Sequence, residues 1–457
     1  MSRGVGRGLT LLLLLGWAIA TAAGPPSGAS RIPDFTFIHC SDTHVPPGVN
    51  ERVGPPEGPR FGTAEVIAQI KSLREPIYLA PYDVTVPPPS FAIVTGDLTE
   101  FGGLNGWWEQ YLGLWKGAPF PVYHISGNHD STWACQRINL RRLYGQAFYS
   151  FDYGGCHFIA WDSATPQDPR PSFGEEMFRW LQEDLRRVAP ETPIFLFCHH
   201  PLESTEFASS YERDRLLDLL RRHNLTLLLV GHGHAARANR VAGIPQVMGG
   251  ATFRNRPGYN VVSVKDGILY VAYRVAAEPH PSQPLLKIPL ARGRRAPEIR
   301  LLHPREGQTV RRPLRVVATI DRSDIVRASW QADDVRDRQG ELQRAGDRWE
   351  ATIPADEWEA GAHFLRLVFT TAGGESFQRS ARFYLPGERV EVLWRRALGG
   401  NVKGAPAIDG DLLVVGAADG VIYGLDRSHG RIRWRVRTGG EILARPLAVG
   451  GQFVLGS

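Results

Sequence analysis

The sequence predicts an α/β fold for residues 34–277, followed by regions built from β-strands alone. Three patterns support this prediction: six short apolar runs that alternate with amphipathic stretches, a strand-like alternation further along, and an internal repeat near the C-terminus. The chain of 457 residues is also longer than a single hydrophobic core usually organises. We therefore expect several domains.

The apolar runs of the first region are its predicted strands. They cover residues 35–40, 91–95, 122–126, 158–161, 194–198 and 225–230. Between them, residues 173–188 and 211–223 carry apolar side chains at helical spacing, as at Phe178, Leu181 and Leu185. Strands without polar alternation are buried on both faces, so the pattern favours sheet structure covered by helices.

The regions after residue 277 have a different pattern. Residues 278–296 are rich in proline and are predicted to be a linker. Residues 297–386 alternate apolar and polar side chains in short runs, separated by turn residues such as Gly373 and Gly374. A stretch of this length without a helical pattern predicts a small β-sandwich, and it resembles immunoglobulin-like or fibronectin-like modules.

Residues 390–457 contain an internal repeat of about forty residues. A shift of this length aligns Trp394 with Trp434 and Gly416 with Gly456. The recurrent tryptophan and glycine residues resemble the blades of pyrroloquinoline-quinone-type β-propellers. The sequence ends within the second repeat, whereas a closed propeller takes about four or more blades. We therefore expect a truncated propeller; the alternative is that a partial blade caps the sandwich.

The N-terminus has the three parts of a secretory signal. Arg3 and Arg7 precede an apolar run at residues 9–20, and small residues follow up to residue 23. The run is short for a membrane span, which needs about 20 residues. We expect residues 1–23 to be a signal peptide and the mature protein to be periplasmic or extracellular, without a stable membrane span. The alternative is an uncleaved membrane anchor.

Charge and cysteine usage argue against two classes of site. The net charge of +6 comes mostly from arginine, and no dense basic patch interleaves with aromatic residues, so nucleic acid is not the expected partner. No C-x-x-C spacing is present, which argues against a thiolate zinc site. Cys135 and Cys156 are the predicted disulfide pair of an exported chain, while Cys40 and Cys198 end predicted buried strands.

Five short polar motifs follow predicted strands, where open α/β sheets place their ligands. They are Ser41-Asp42-Thr43-His44, Thr95-Gly96-Asp97, Gly127-Asn128-His129-Asp130, Cys198-His199-His200-Pro201 and Gly231-His232-Gly233-His234. Each motif alone is weak, because Asp-x-His and Gly-His-x-His occur by chance in surface loops. Five of them, each after an apolar run, are hard to explain as ordinary buried polar residues.

The order of these motifs resembles that of the calcineurin-like metallophosphoesterases, from residue 35 to about residue 275. The resemblance implies a two-sheet α/β sandwich, flanked by helices, with two metal ions at one edge. It implies two ligand sets that share Asp97. One set is Asp42, His44, Asp97 and His234, and the other is Asp97, Asn128, His199 and His232.

The residue types fit phosphoester hydrolysis. Two divalent ions provide a bridging hydroxide as nucleophile and neutralise the charge of the phosphoryl oxygens. Carboxylate, imidazole and amide ligands suit iron, manganese or zinc. The resemblance gives His129 the role of protonating the leaving oxygen, and we expect Glu100 to orient it. The alternative is that Glu100 is an exposed loop residue. For His200, substrate contact and simple packing stay equally open.

The motif variants favour a phosphodiesterase. Glu100 stands where purple acid phosphatases carry a tyrosine ligand, and the motif set looks like the branch with cyclic-nucleotide and glycerophosphodiester phosphodiesterases. The expected substrate is a small phosphoester or a lipid headgroup. Two alternatives stay open. One is a binding or scaffold protein that recognises a protein or wall partner through its β-modules. The other is an exonuclease, which would need a basic groove. The sequence does not decide whether the repeats bind a quinone cofactor.

Overall fold

The computed structural model describes residues 32–45, 60–131, 135–166, 170–203, 205–254, 256–290, 297–387 and 392–457. The predicted signal peptide and the Cys135 side chain of the predicted disulfide lie outside the described parts. Within those parts, no helix is long and apolar enough to cross a membrane.

The first region contains two six-stranded mixed sheets. In spatial order, the strands of the first sheet are Gln283–Pro289, Ile268–Val275, Gly258–Lys265, Phe35–Cys40, Pro89–Thr95 and Val122–Ile125. Those of the second sheet are Ala236–Val241, Ile244–Gly249, Asn224–Val230, Pro193–Phe197, Cys156–Ala160 and Tyr149–Tyr153. All six predicted strands are therefore present, with ends that differ from the prediction by a few residues.

The two sheets pack face to face through aromatic side chains. The Phe37 and Phe91 rings stack with centroids 4.9 Å apart in the first sheet, and the Phe158 and Phe195 rings do the same in the second. Phe37 also meets Phe158 edge to face across the sheets at 5.6 Å. Strands such as Phe35–Cys40 are buried along their whole length, which explains why their sequences lack polar alternation.

Helices cover the outer faces of both sheets. The first sheet packs against Thr63–Ser72 and Asn105–Trp115, and the second against Glu175–Leu185 and Ser210–Leu220. The last two match the predicted helices. The remaining elements of the region are helices Asn128–Ser131 and Cys135–Tyr144, the 3-10 turn Ala80–Tyr82, and the hairpin Ile77–Leu79 with Val84–Val86. The layers place the carboxyl ends of the central strands of both sheets at one edge.

The predicted proline-rich linker is not a simple connector. Gln283–Pro289 forms the edge strand of the first sheet, antiparallel to Ile268–Val275. The Tyr82 hydroxyl accepts the N–H groups of Leu285 and Leu286, each at 3.0 Å. An edge strand tolerates proline because one side of its backbone has no ladder partner. Proline content therefore did not exclude a strand here.

Residues 297–386 form two sheets around one core, matching the predicted alternation. One has strands Ile299–His303, Leu314–Ile320, Arg348–Ile353 and Gln343–Ala345. The other has Gln308–Thr309, Ser376–Leu385, Gly361–Thr371, Ile325–Ala332 and Gln339–Glu341. Leu367, Phe369 and Phe383 are fully buried between them.

The repeat region forms one antiparallel four-stranded sheet and a hairpin. The sheet consists of Ala407–Asp409, Leu412–Gly416, Val421–Asp426 and Ile432–Arg437, and the hairpin of Leu447–Val449 and Gln452–Val454. The Trp394 indole donates to the carbonyl of Arg427 at 2.7 Å and lies directly on Gly430, where a Cβ would overlap the ring. This contact gives a physical reason for the glycine at position 430, beside the first of the two recurrent tryptophans. The propeller itself stays a prediction.

Buried ion pairs join the α/β region to both following regions. Asp214, on helix Ser210–Leu220, binds Arg366 of the sandwich with 2.5 Å between Oδ2 and Nε. Arg137 binds both Asp162 at 2.8 Å and Glu441 of the repeat region at 3.2 Å. Because buried charges are costly to leave unpaired, these contacts tie the three regions together.

Candidate active site

The five motifs meet at one edge of the α/β region, as their positions after parallel strands predict. Asp42 follows Phe35–Cys40, and Asp97 follows the adjacent parallel strand Pro89–Thr95. His199 follows Pro193–Phe197 in the second sheet, whose neighbour Asn224–Val230 leads to His232 and His234. The facing edges of the two sheets thus bring all seven candidate ligands together.

The first cluster consists of Asp42, His44, Asp97 and His234, and each offers a ligand atom within 4.8 Å of the others. His234 Nε2 lies 3.2 Å from Asp42 Oδ1. His44 Nε2 lies 3.4 Å from Asp97 Oδ2 and 3.9 Å from Asp42 Oδ1. Three of the four side chains are buried, so the cluster is largely shielded from solvent.

The second cluster consists of Asn128, His199 and His232. Asn128 Oδ1 lies 3.0 Å from both His199 Nε2 and His232 Nδ1, and these two nitrogens are 3.3 Å apart. His199 Nε2 is also 3.3 Å from Asp97 Oδ2. Asp97 Oδ2 therefore stands between the two clusters, at nearly equal distances from a nitrogen of each.

These separations fit atoms that share a metal ion. Ligand atoms about 2.0–2.2 Å from one ion lie about 2.8–3.6 Å apart in tetrahedral or octahedral geometry. All the separations given above fall within this range except the 3.9 Å between His44 and Asp42. Asp42 Oδ1 is buried and has no hydrogen-bond partner among the described residues. A buried carboxylate oxygen without a donor is suited to a cation.

The electrostatics of the clusters also favour a cation. Burial alone would raise the pKa of Asp42, but the adjacent imidazoles of His234 and His44 outweigh it and hold that pKa well below its usual range. Burial lowers the pKa of His44 and His199, yet Asp42 and Asp97 outweigh it and raise each to about 9. The carboxylates thus create a strongly negative potential around the imidazole nitrogens.

His129 lies beside the first cluster. Its ring centroid is 4.6 Å from that of His44, and its side chain is 37% exposed, so it borders solvent. Its backbone N–H donates to Asp97 Oδ1 at 2.9 Å, and its Nδ1 lies 2.9 Å from the carbonyl oxygen of Glu100. The backbone carbonyl of Glu100 is therefore within hydrogen-bond distance of the His129 ring, while its carboxylate oxygen Oε1 lies farther away, 3.7 Å from the same nitrogen.

Two family models match the chain. Residues 35–236 match the family described as calcineurin-like phosphoesterase. Residues 35–236 are a calcineurin-like phosphoesterase domain. Residues 343–457 match the family described as outer membrane protein assembly factor BamB, so this part contains a repeat of that type. The second match begins inside the sandwich, where Trp349 and Leu365 belong to the sandwich core.

Two curated proteins are similar to the phosphoesterase domain. A "probable cyclic nucleotide phosphodiesterase" from Rhodococcus erythropolis is 23% identical over 229 residues, which are 48% of this chain and 71% of the relative. "Purple acid phosphatase 23" from Arabidopsis thaliana is 25% identical over 200 residues, which are 34% of this chain and 43% of that protein. The chain thus spans less than half of the second relative.

Solved structures similar to parts of the chain have low TM-scores. A predicted phosphoesterase from Streptococcus pneumoniae is 14% identical, with a TM-score of 0.30, over 57% of this chain and 100% of its own. Fibronectin(III)-like modules from Clostridium thermocellum are 13% identical, with a TM-score of 0.17, over 19% of this chain and 94% of their own.

Further groups of the phosphoesterase domain, one from the backbone and one from a side chain, hold the candidate ligands in place. His199 Nδ1 lies 2.8 Å from the Thr95 carbonyl, which directs Nε2 into the site. His232 Nε2 contacts Glu206 Oε2 at 2.8 Å, which directs Nδ1 into the site. Glu206 was not among the predicted site residues, because a lone glutamate in a loop carries no spacing signal.

Three further polar side chains lie in or near the motifs. Asp130 accepts the backbone N–H groups of Leu98, Thr99 and Gly127, and burial raises its pKa to about 6. Asp162 pairs with Arg137. His200 is fully buried with Nδ1 2.9 Å from the Ser163 hydroxyl, and it offers a ring nitrogen within 4.8 Å of His199 and His232. Burial also lowers the pKa of His200 well below its usual value.

Five candidate ligands adopt left-handed backbone conformations. Their φ angles are +53° for Asp42, +42° for His44, +47° for Asp97, +70° for His232 and +51° for His234. Such conformations cost about 1–3 kcal/mol each for residues other than glycine, and they concentrate at functional sites. The phosphoesterase domain thus holds its candidate ligands in strained positions.

We expect Gly127→Ala to disturb the site strongly. A Cβ at Gly127 would overlap Oδ1 and the backbone nitrogen of Asp97, so the Asp97 carboxylate would have to move. The expected result is a loss of metal affinity of at least about tenfold, measured by titration calorimetry of the metal-free protein. Gly113→Ala is the matched control, because a Cβ there meets no atom within 4 Å. Unchanged metal affinity in Gly127→Ala would contradict the prediction.

Proposed function

We propose that the chain is an exported phosphoesterase that cleaves phosphodiesters at a centre of two divalent ions. The position of Asp97 Oδ2 carries the proposal, at 3.4 Å from His44 Nε2 and 3.3 Å from His199 Nε2. A carboxylate oxygen midway between two nitrogen-rich clusters is suited to bridge two ions. The calcineurin-like phosphoesterase domain supports hydrolysis as the reaction class.

Each cluster would hold one ion. Asp42, His44 and His234 would hold the first, Asn128, His199 and His232 the second, and Asp97 would contact both. Divalent ions lower the pKa of water and neutralise negative charge on phosphoryl oxygens. The donor set has carboxylate, imidazole and amide groups and no thiolate, which suits iron, manganese or zinc.

His129 is the residue placed to assist the leaving group. A carbonyl oxygen only accepts hydrogen bonds, so His129 Nδ1 must carry a proton where it meets the Glu100 carbonyl at 2.9 Å. The ring is fixed in this way, and Nε2 is left for the substrate. In its doubly protonated form, the ring would donate the Nε2 proton to the departing ester oxygen.

The preference for diesters and the exported location rest on sequence features. Glu100 stands in place of a tyrosine ligand, and one similar protein is named a probable cyclic nucleotide phosphodiesterase. Arg3, Arg7 and the apolar residues 9–20 support export. Nucleotides and lipid headgroups outside the cytoplasm are then the substrate classes proposed.

The test combines metal content with turnover by the complete chain. We expect about two bound transition-metal ions per chain and faster hydrolysis of bis(p-nitrophenyl) phosphate than of p-nitrophenyl phosphate. A folded protein that binds no metal and hydrolyses neither compound with added Mn²⁺, Fe²⁺ or Zn²⁺ would refute the proposal. The alternative function, a binding or scaffold protein that acts through its β-modules, would then be favoured.

His129→Ala should separate leaving-group assistance from metal binding. General acid catalysis accelerates a reaction by about 10²–10⁴-fold. The kcat for diphenyl phosphate should fall by that factor, because phenol is a poor leaving group that needs a proton. The fall should be smaller for bis(p-nitrophenyl) phosphate, and the metal content should not change. An equal fall for both substrates would argue against a proton donor at this position.

A further inference from the structure

Glu100 contacts two different imidazoles with two different parts of the residue. Its carboxylate oxygen Oε2 lies 2.5 Å from His44 Nδ1, while its carbonyl oxygen lies 2.9 Å from His129 Nδ1. The backbone is fixed at this point, because the Glu100 N–H donates to the Val45 carbonyl at 2.9 Å. The residue thus stands between a candidate metal ligand and the candidate proton donor.

The carboxylate is not required to hold His129. Its nearest oxygen, Oε1, is 3.7 Å from His129 Nδ1, which is too long for a hydrogen bond. A ring nitrogen carries one proton at most, and the Glu100 carbonyl already accepts it. The side chain therefore serves His44, whose other nitrogen, Nε2, faces Asp97.

We propose that Glu100 is a positioning residue with a divided role: its carboxylate holds His44 as a metal ligand, and its carbonyl holds His129 for the substrate. The proposal rests on the metal centre of the proposed function. It reverses the expectation from sequence, in which the carboxylate orients His129. A single residue then links metal binding to the placement of the proton donor.

Side-chain length explains why the carboxylate reaches His44. The negative charge of the Glu100 carboxylate keeps the proton on His44 Nδ1 and raises the basicity of His44 Nε2. Loss of such a partner typically lowers metal affinity by about 10- to 100-fold. Glu100→Asp shortens the side chain by one carbon–carbon bond of about 1.5 Å, which breaks a 2.5 Å contact. Glu100→Gln keeps the length but replaces a charge-assisted hydrogen bond by a weaker neutral one. Both variants keep the backbone carbonyl.

The test first measures metal affinity without turnover. Metal-free wild type, Glu100→Gln, Glu100→Asp and His129→Ala would be titrated with Mn²⁺ or Zn²⁺ by calorimetry. Glu109→Gln, at an exposed position of helix Asn105–Trp115, is the control for loss of a carboxylate. We expect metal binding to be weaker by about 10- to 100-fold in Glu100→Asp and to be weakened less in Glu100→Gln. His129→Ala and Glu109→Gln should bind the metal with wild-type affinity. Circular dichroism confirms that each variant is folded.

The second measurement compares leaving groups at saturating metal. The ratio of kcat for bis(p-nitrophenyl) phosphate to kcat for diphenyl phosphate should stay at the wild-type value in both Glu100 variants, whereas His129→Ala should raise it. Glu100 variants that bind metal normally but raise this ratio would overturn the proposal, because the carboxylate would then act on His129. Wild-type protein that binds no divalent ion would refute the proposed function itself, and the divided role with it.

Discussion

Asp97→Asn protein should hydrolyse phosphodiesters at least about 10³-fold more slowly than wild type and should bind less metal. Oδ1 of Asp97 accepts the His129 N–H at 2.9 Å, so the asparagine oxygen is expected to keep that position. The amide nitrogen then replaces Oδ2, the atom that faces His44 and His199. An amide nitrogen donates hydrogen bonds and does not bind cations. Loss of several kcal/mol of charge stabilisation corresponds to the stated factor.

The substitution separates chemistry from folding. Asparagine tolerates the left-handed backbone of Asp97, which has a φ of +47°, and it has nearly the same volume. We therefore expect an unchanged fold, with the loss confined to metal content by mass spectrometry and to kcat. Asp324→Asn, at a surface ion pair of the sandwich, is the control. Full activity and full metal content in Asp97→Asn would rule out Asp97 as the shared ligand.

Asp214→Ala is expected to lower the free energy of unfolding by about 3–5 kcal/mol. Asp214 is fully buried, and its carboxylate accepts hydrogen bonds from Arg366 at 2.5 Å, Ser380 at 3.0 Å and Gln378 at 3.2 Å. Removal leaves the guanidinium of Arg366, 13% exposed, with Asp334 at 3.0 Å as its carboxylate partner. The buried positive charge of Arg366, between two domains, would then be only partly neutralised, which destabilises the folded protein.

The measurement is unfolding in urea, followed by circular dichroism. Asp324→Ala removes one partner of the exposed pair with Arg322 and should cost less than about 1 kcal/mol. The folded Asp214→Ala protein should keep the wild-type kcat, because Asp214 is not part of the candidate site. A loss as small as that of Asp324→Ala would mean that the ion pair between Asp214 and Arg366 does not contribute to stability.

Much of the α/β domain was predictable because its signals are local. The strand Phe35–Cys40 is buried along its length, and its uninterrupted apolar sequence reflects that burial. Asp42 and Asp97 follow adjacent parallel strands, so their proximity follows from strand direction alone. The order of five motifs then identified the candidate ligands, and the structure brings all seven together.

The remaining features depend on contacts that the sequence does not encode locally. The direction of the Glu100 carboxylate is set by where His44 stands, 56 residues earlier. Glu206 is recognisable only through its contact with His232. The edge strand Gln283–Pro289 was hidden by its prolines. In each case tertiary structure, rather than local preference, decides the outcome.

The burial of Glu441 has a consequence for how such proteins diversify. Its side chain lies buried in the repeat region against Arg137 and Arg141 of the phosphoesterase domain. A gene fusion that exchanged the C-terminal repeat for an unrelated module would leave these two guanidinium groups without that carboxylate. Domain shuffling at this junction is therefore penalised, and we expect the two modules to have been inherited together rather than assembled from interchangeable parts.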